Sequence, residues 1–190
     1  MAVKKKKVKA KAVAKKVKKV NKAKKVEAVP ARYGTATAML VVSPCREALK
    51  FYENAFGAKV LGVMEGFGGL VVHAEMLIGD SIVMLNDEMP PMPPMPGGQA
   101  GTAHRSPKNA GSHSGGVMLY VPDVDSAFKK AVDAGAIIIM PVSDMFWGDR
   151  YAQVEDPFGH VWSMGTHLRD VSDKEAQEAM AKMMPGPQGG

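Results

Sequence analysis

Two stretches of this 190-residue chain repeat one pattern. Residues 38–87 contain AMLVVSPCREALKFYENAFGAKV and then HAEMLIGDSIVMLN. Residues 115–167 contain GVMLYVPDVDSAFKKAVDAGAII and then RYAQVEDPFGHVWSMG. Each copy reads strand, helix, strand, strand, strand. The first strand runs into a helix start (Ser43-Pro44, Pro122-Asp123), a Gly-Ala pair closes the helix (Gly57-Ala58, Gly135-Ala136), and a hairpin ends the copy. A repeat of this length cannot bury its apolar face alone and needs its partner copy. Two such copies create a concave surface, where a function is to be sought. The expected architecture is α+β, in one domain or two intimate half-domains.

Hydrophobic spacing supports the helices. Over residues 44–56, Ala48, Leu49, Tyr52, Ala55 and Phe56 form one buried stripe, with Ser43 as the expected N-cap, Pro44 at the first helical position and Gly57 as the stop. Over residues 124–134, Val124, Ala127, Phe128, Ala131 and Val132 repeat the stripe. Residues 88–114, with PMPPMP, separate the copies as a functional flap or a linker. Their methionines suit a soft metal such as copper(I), but apolar filler is the preferred reading. A last helix over residues 171–184 opens with a Ser172/Glu175 capping box and carries Ala176, Met180 and Met183–Met184 on one face, to dock on the body or on a second subunit. Residues 185–190 read as a flexible end.

Charge is divided unevenly. Residues 1–27 hold thirteen lysines and one glutamate, +12, while the remainder holds 12 basic and 18 acidic residues, −6. A tail over residues 1–32, without the apolar surface to repay ordering, is expected to be disordered and to bind nucleic acid weakly and without sequence preference. One cysteine, Cys45, excludes an intramolecular disulfide and suits a reducing compartment. The start lacks the apolar segment of a signal peptide, and no apolar run approaches the roughly 18 residues of a membrane span. The expectation is a cytoplasmic protein.

The motifs KFYENAFGAKV, HAEMLIGDSIVML, YVPDVDSAFKKAVDAGA and FWGDRYAQVEDPFGHVW, with the closing helix, resemble the PhnB-like branch of the vicinal oxygen chelate superfamily. That superfamily includes glyoxalase I, bleomycin-resistance proteins, fosfomycin-resistance enzymes and extradiol dioxygenases. The resemblance covers residues 35–184. It implies two βαβββ modules forming curved sheets around a shared pocket, helices outside, in a chain that forms a homodimer. It leaves the function open, because lyases, transferases, dioxygenases and non-catalytic binders share the fold.

Metal-dependent members hold a divalent ion with His, Gln or Glu on the first and last strands of each module. Counting from the motifs places Thr37, Met84, Gly116 and Ser163 at those positions, which is not a competent ligand set, so neither a metal nor another cofactor is expected. A slip of one residue would flip every face. His113 stands three residues before Gly116 and could swing inward. His73 and Glu75, two apart, share a strand face. A Gly79-Asp80 turn sets Leu77 opposite Ile82, Glu75 opposite Met84 and His73 opposite Asn86. His73, Glu75 and Met84 thus face the pocket, as a binding or acid–base group, a metal site, or a structural signature of the strand.

In the second copy, Phe146 and Trp147 offer stacking surface for a flat ligand. Arg150 offers a planar fork to an anion or carbonyl, or else ties the loop down together with Asp149. Asp156-Pro157-Phe158-Gly159 is turn chemistry, Trp162 is core, and Cys45 lies outside the pocket. The preferred function is a metal-independent small-molecule binder holding its ligand with His73, Glu75, Met84, Phe146, Trp147 and Arg150. The alternatives are a glyoxalase-like lyase or isomerase with an atypical metal site, and a nucleic-acid-associated protein acting through its tail. A methyltransferase is excluded by the lack of a Gly-rich strand-to-helix loop for a methyl-donor nucleoside.

Overall fold

Alternating burial along the strands and one buried stripe along each long helix build two copies of a single module. The computed structural model describes residues 27–183 except Met92, Met95, Gln99, Ala100 and Thr102. The lysine-rich tail up to residue 26, the last residues from 184 and two of the PMPPMP methionines lie outside the described residues. The chain divides into two units, Met1–Arg32 and Tyr33–Gly190. The described strands and helices fall in the second.

Module one comprises β1 (Ala38–Val42), α1 (Cys45–Phe56), β2 (Lys59–Glu65), β3 (Val71–Ile78) and β4 (Ser81–Asp87). A short helical turn, α2 (Pro107–Ala110), sits in the connection. Module two comprises β5 (Gly116–Tyr120), α3 (Val124–Asp133), β6 (Ile137–Asp144), β7 (Asp149–Glu155) and β8 (Val161–His167). The helix α4 (Asp173–Met183) follows. Each module forms a four-stranded mixed sheet, ordered β1-β4-β3-β2 and β5-β8-β7-β6. The first strand pairs parallel with the last, and the remaining pairs are antiparallel. This is the expected α+β architecture of two βαβββ modules, and the sheets are not closed.

One face of each sheet is covered by helix. Leu40, Ala74, Met76, Val83 and Leu85 of module one, and Ala152, Val154, Trp162 and Met164 of module two, belong to a single buried cluster with Leu49, Tyr52 and Ala55 of α1. The aromatic stripe of α1 crosses between modules: the Phe56 ring lies 4.4 Å from Trp162, and the Tyr52 ring lies 5.2 Å from it. Asp156, 1% exposed, ties this contact. Its Oδ2 accepts Tyr52 Oη–H at 2.7 Å and Trp162 Nε1–H at 2.8 Å, and its Oδ1 accepts the N–H groups of Phe158 and His160 at 2.8 and 2.9 Å. Burial and the adjacent carboxylate push the Tyr52 phenol well above its ordinary range.

Both helix starts are held from across the sheet. Ser43 does not cap α1. Pro44 is the N-cap residue and makes no side-chain cap bond. The first helical N–H, that of Cys45, instead donates to Asp87 Oδ1 on β4 at 2.7 Å, and Asp87 Oδ2 also accepts Val71 N–H. Thr166 takes the same place in module two, accepting Val124 N–H at 2.9 Å and donating to the Val121 carbonyl. Asp123 also caps α3, through Ser126 N–H. At α4, Ser172 Oγ accepts Glu175 N–H as expected, but no residue of the helix is buried against the body.

The connection is anchored to module two. Glu88 Oε1 accepts from Ser106 N–H and Oγ–H, both at 2.7 Å, which holds its carboxyl below the usual range. Lys108 N–H donates to the Phe158 carbonyl. Gly159, at φ +89°, permits this approach, since a Cβ there would lie 2.5 Å from Lys108 N.

Asp156→Ala removes one acceptor from four donors, three of them on buried residues. It is expected to lower the unfolding free energy by about 3–5 kcal/mol, read from urea denaturation followed by tryptophan fluorescence. A loss below about 1 kcal/mol would show that the modules do not depend on this carboxylate.

Candidate functional site

The sheet faces opposite the helices carry the polar residues. In β3 the alternation sends Ala74, Met76 and Ile78 to the core and leaves His73, Glu75 and Leu77 on the other face. The Gly79-Asp80 turn, with Gly79 at φ +60°, gives the counted register: Leu77 pairs with Ile82 and Glu75 with Met84. Met39 pairs with Met84 from β1 and joins the same face. Glu75 is 7% exposed. Its Oε1 accepts the Tyr33 hydroxyl and lies 3.2 Å from His73 Nε2. His73, Glu75 and Met84 therefore sit together on one open face. Tyr33, just before β1, completes the group and was not legible from strand spacing.

The same places in module two hold Tyr151, Gln153 and Ser163. Gln153 pairs with Ser163 as Glu75 pairs with Met84, and Met118 pairs with Ser163 as Met39 does with Met84. Tyr151 Oη–H donates to Ser163 Oγ at 2.7 Å, and Gln153 Nε2–H donates to the same oxygen at 3.1 Å. These residues were absent from the ligand set expected from sequence, although the signal was there: Tyr-Ala-Gln in copy two stands where copy one has His-Ala-Glu.

The loop entering β7 flanks this face. The Phe146 and Trp147 rings are 5.0 Å apart, edge to face, and the Trp147 ring is 5.6 Å from Tyr151. Gly148, at φ +99°, lets the loop pass the next segment, because a Cβ would lie 2.1 Å from the Arg169 carbonyl oxygen. Asp149 is 4% exposed and joins three strands: it accepts Tyr120 Oη–H at 3.0 Å and pairs with His167 Nδ1 at 2.8 Å. His167 Nε2 lies 3.0 Å from Asp170. Both ring nitrogens thus face carboxylates, and Asp149 and then Asp170 raise the His167 pKa.

Arg150 departs from the expected ligand set. It shares the parity of Ala152 and Val154 and points to the helix side. There Nε and Nη2 donate to the two Asp125 oxygens at 2.6 and 2.7 Å, and Nη1 donates to Asp144 at 2.7 Å. Its fork is occupied by carboxylates of α3 and β6, so it ties the module together and presents no donors to the open face.

The four positions that the sequence resemblance assigns to metal ligands do not make a ligand set. They offer the hydroxyl of Thr37, the thioether of Met84, no side chain at Gly116, and the hydroxyl of Ser163, which already accepts two hydrogen bonds. A Cβ at Gly116 would lie 2.7 Å from the Val161 carbonyl oxygen, so that backbone leaves no room for a ligand. No cluster of three His, Cys, Asp or Glu side chains suited to a metal occurs among the described residues. No described helix is long and apolar enough to cross a membrane.

Two cavities adjoin these elements. One of about 820 Å³ lies between the modules, lined by α1, α3, β5 and the Gly79-Asp80 turn, and reaches Met118 and Tyr120. None of the six residues expected to bind a ligand lines it. The other, about 450 Å³, is an open hollow on module two between His113, Gly116, Met118, Gln153, Val161 and Ser163. The anchored connection brings His113 to its rim.

The family described as the Glyoxalase/Bleomycin resistance protein/Dioxygenase superfamily matches residues 34–164. The uncharacterized protein Mb0911c of Mycobacterium bovis is 41% identical over 147 residues, covering 77% of this chain and 92% of the relative. Among solved structures, TioX from Micromonospora sp. ML1 is 28% identical with a TM-score of 0.54, covering 71% of this chain and 100% of TioX. The fosfomycin resistance protein FosX from Listeria monocytogenes, complexed with Mn(II) and sulfate, is 13% identical with a TM-score of 0.51. It covers 77% of this chain and 97% of its own, and it shares the fold alone.

Two measurements check this geometry. Because the folded pKa of His167 lies above its unfolded value of about 6.5, its contribution to stability is complete below that value and is lost as pH rises through the folded pKa. The NMR titration of its ring should move to lower pH in Asp170→Asn, and an unchanged midpoint would remove Asp170 as a cause. Burial pushes the Cys45 thiol up to about 12, so iodoacetamide at pH 8 should label it only after unfolding. Rapid labelling of the folded protein would contradict that environment.

Proposed function

We propose a small-molecule-binding function for this chain, which belongs to the Glyoxalase/Bleomycin resistance protein/Dioxygenase superfamily. The ligand is held on the open sheet faces without a divalent metal. The observation that carries this reading is the chemistry of four positions: Thr37, just before β1, with Met84, Gly116 and Ser163 give no ligand set, while hydrogen-bonding and aromatic side chains gather on the sheet faces. Tyr151, Gln153 and Ser163 join His73, Glu75, Met84, Phe146 and Trp147 as the ligand set, and Arg150 leaves it. The motif order supports a place near the PhnB-like branch.

The His73–Glu75 pair favours a second reading, glyoxalase-like acid–base chemistry. The pair is 3.2 Å apart beside the Tyr33 hydroxyl, within reach for proton transfer.

The body is further proposed to work as a homodimer. The outer strands are exposed and apolar, with Val60, Leu61, Val63 and Met64 on β2 and Ile137, Ile138 and Ile139 on β6. A second copy would cover them.

Equilibrium dialysis of the untagged protein against nickel, zinc, manganese, iron(II) and copper should leave no stoichiometric ion. One tightly held ion per chain would overturn the metal-independent reading and put lyase chemistry first. Bleomycin serves as a first probe of the open face: Trp147→Ala is expected to weaken any binding about tenfold or more with an unchanged melting temperature. Equal affinity in the variant would remove Trp147 from the site. Light scattering of the purified chain should give twice the monomer mass.

A further inference from the structure

The three polar groups on module two leave two atoms pointed outward, and those two atoms select a ligand chemistry. Four tetrahedral directions surround Ser163 Oγ. One is the bond to Cβ, and two receive the Tyr151 hydroxyl at 2.7 Å and the Gln153 amide at 3.1 Å. The fourth carries the Ser163 proton, directed away from both neighbours. Gln153 uses its amino group on Ser163 and, at 3.4 Å, on the Tyr151 hydroxyl. Its carbonyl oxygen Oε1 has no hydrogen-bond partner among the described residues. Tyr151 is held by its own bonds and by the Trp147 ring against it, so the network is fixed before a ligand arrives.

We propose that this face recognises a neutral carboxamide attached to a flat apolar group. The Ser163 hydroxyl donates to the amide carbonyl, and Gln153 Oε1 accepts the amide N–H. The inference rests on the ligand-binding reading above and names its chemistry. Three observations support a neutral, flat ligand. No Lys, Arg, Asp or Glu is among the residues lining the adjoining hollow of about 450 Å³, so a charged group would lose water without gaining a countercharge. The hollow is lined by the apolar side chains of Met118 and Val161, which offer contact surface to a ring. Its volume falls within the range of small-molecule pockets. A carboxylate has no proton to give Gln153 Oε1, and a ketone lacks the N–H altogether. Each forfeits one neutral hydrogen bond, worth about tenfold in affinity.

Isothermal titration of the full chain with 2-naphthamide, 2-acetylnaphthalene and 2-naphthoate tests this directly. The amide should bind about tenfold more tightly than either of the others. Gln153→Met should erase that preference while the naphthyl group still binds, and Ser163→Ala, which removes the donor to the carbonyl that all three compounds share, should weaken all three about tenfold, with melting temperatures recorded for both. The two variants are independent, so misfolding of one leaves the other to decide. If the naphthoate binds as tightly as the amide, if Gln153→Met keeps the preference, or if Ser163→Ala leaves all three affinities unchanged, the carboxamide inference is wrong although the face remains a ligand site. If none of the three compounds binds, both the inference and the reading of this face as a ligand site fall.

Discussion

Four hydrogen bonds converge on the buried carboxylate of Asp156, and through it module one is fastened to module two. Two of the donors belong to the turn that Asp156 itself opens, and a third is the indole of Trp162 on β8. The fourth, the Tyr52 hydroxyl, comes from the helix of the other module. A buried carboxylate is tolerable only when its lone pairs are used, and here the donors come from both modules at once. The apolar contact follows: Tyr52, Phe56, Phe158 and Trp162 pack around the same point. The His160 ring reaches the Val41 carbonyl, and the anchored turn α2 lies over Gly159. This junction packs the helix side of both modules together, and the polar strand residues lie on the opposite sheet faces.

The repeat shows which positions serve the fold and which are free to vary. Asp87 and Thr166 differ in charge and size, yet both hold the first N–H of a helix from the end of the last strand. The alanines of His-Ala-Glu and Tyr-Ala-Gln both face the core, Ala74 and Ala152 alike at 0% exposure. The flanking residues diverge: imidazole and carboxylate in one copy, phenol and amide in the other. Met84 and Ser163 diverge likewise. Packing therefore fixes every second residue of these strands, and the residues between them set the chemistry.

Local pattern made much of this legible. Apolar spacing and the Gly-Ala closures gave both helices to within a residue or two, and the Gly79-Asp80 turn fixed the β3–β4 register, because a two-residue turn leaves little freedom. The failures share a cause in long-range partners. Ser43 looks like a cap until Asp87, far along the chain, supplies the acceptor. Arg150 looks like a ligand donor beside Trp147, although its parity with Ala152 and Val154 already puts it on the core side, where Asp125 and Asp144 wait. Tyr33 lies outside any strand, so no periodicity could place it on Glu75.

Charge on the two open faces is largely neutralised from within. Glu75 is buried beside Tyr33 and His73, and Asp149 is shared between Tyr120 and His167. The guanidinium of Arg150 is turned to the other side and paired with Asp125 and Asp144. What the module-two face presents outward is a hydroxyl proton, an amide oxygen, a thioether and indole surface. Recognition on such a face rests on directed neutral hydrogen bonds and ring contact, whose strength changes little with salt. The first 27 residues differ in kind: they carry a charge of +12, and attraction between such a charge and a polyanion is salt-sensitive. A ligand of the sheet face should therefore hold its affinity across ionic strengths that would weaken a purely electrostatic attraction.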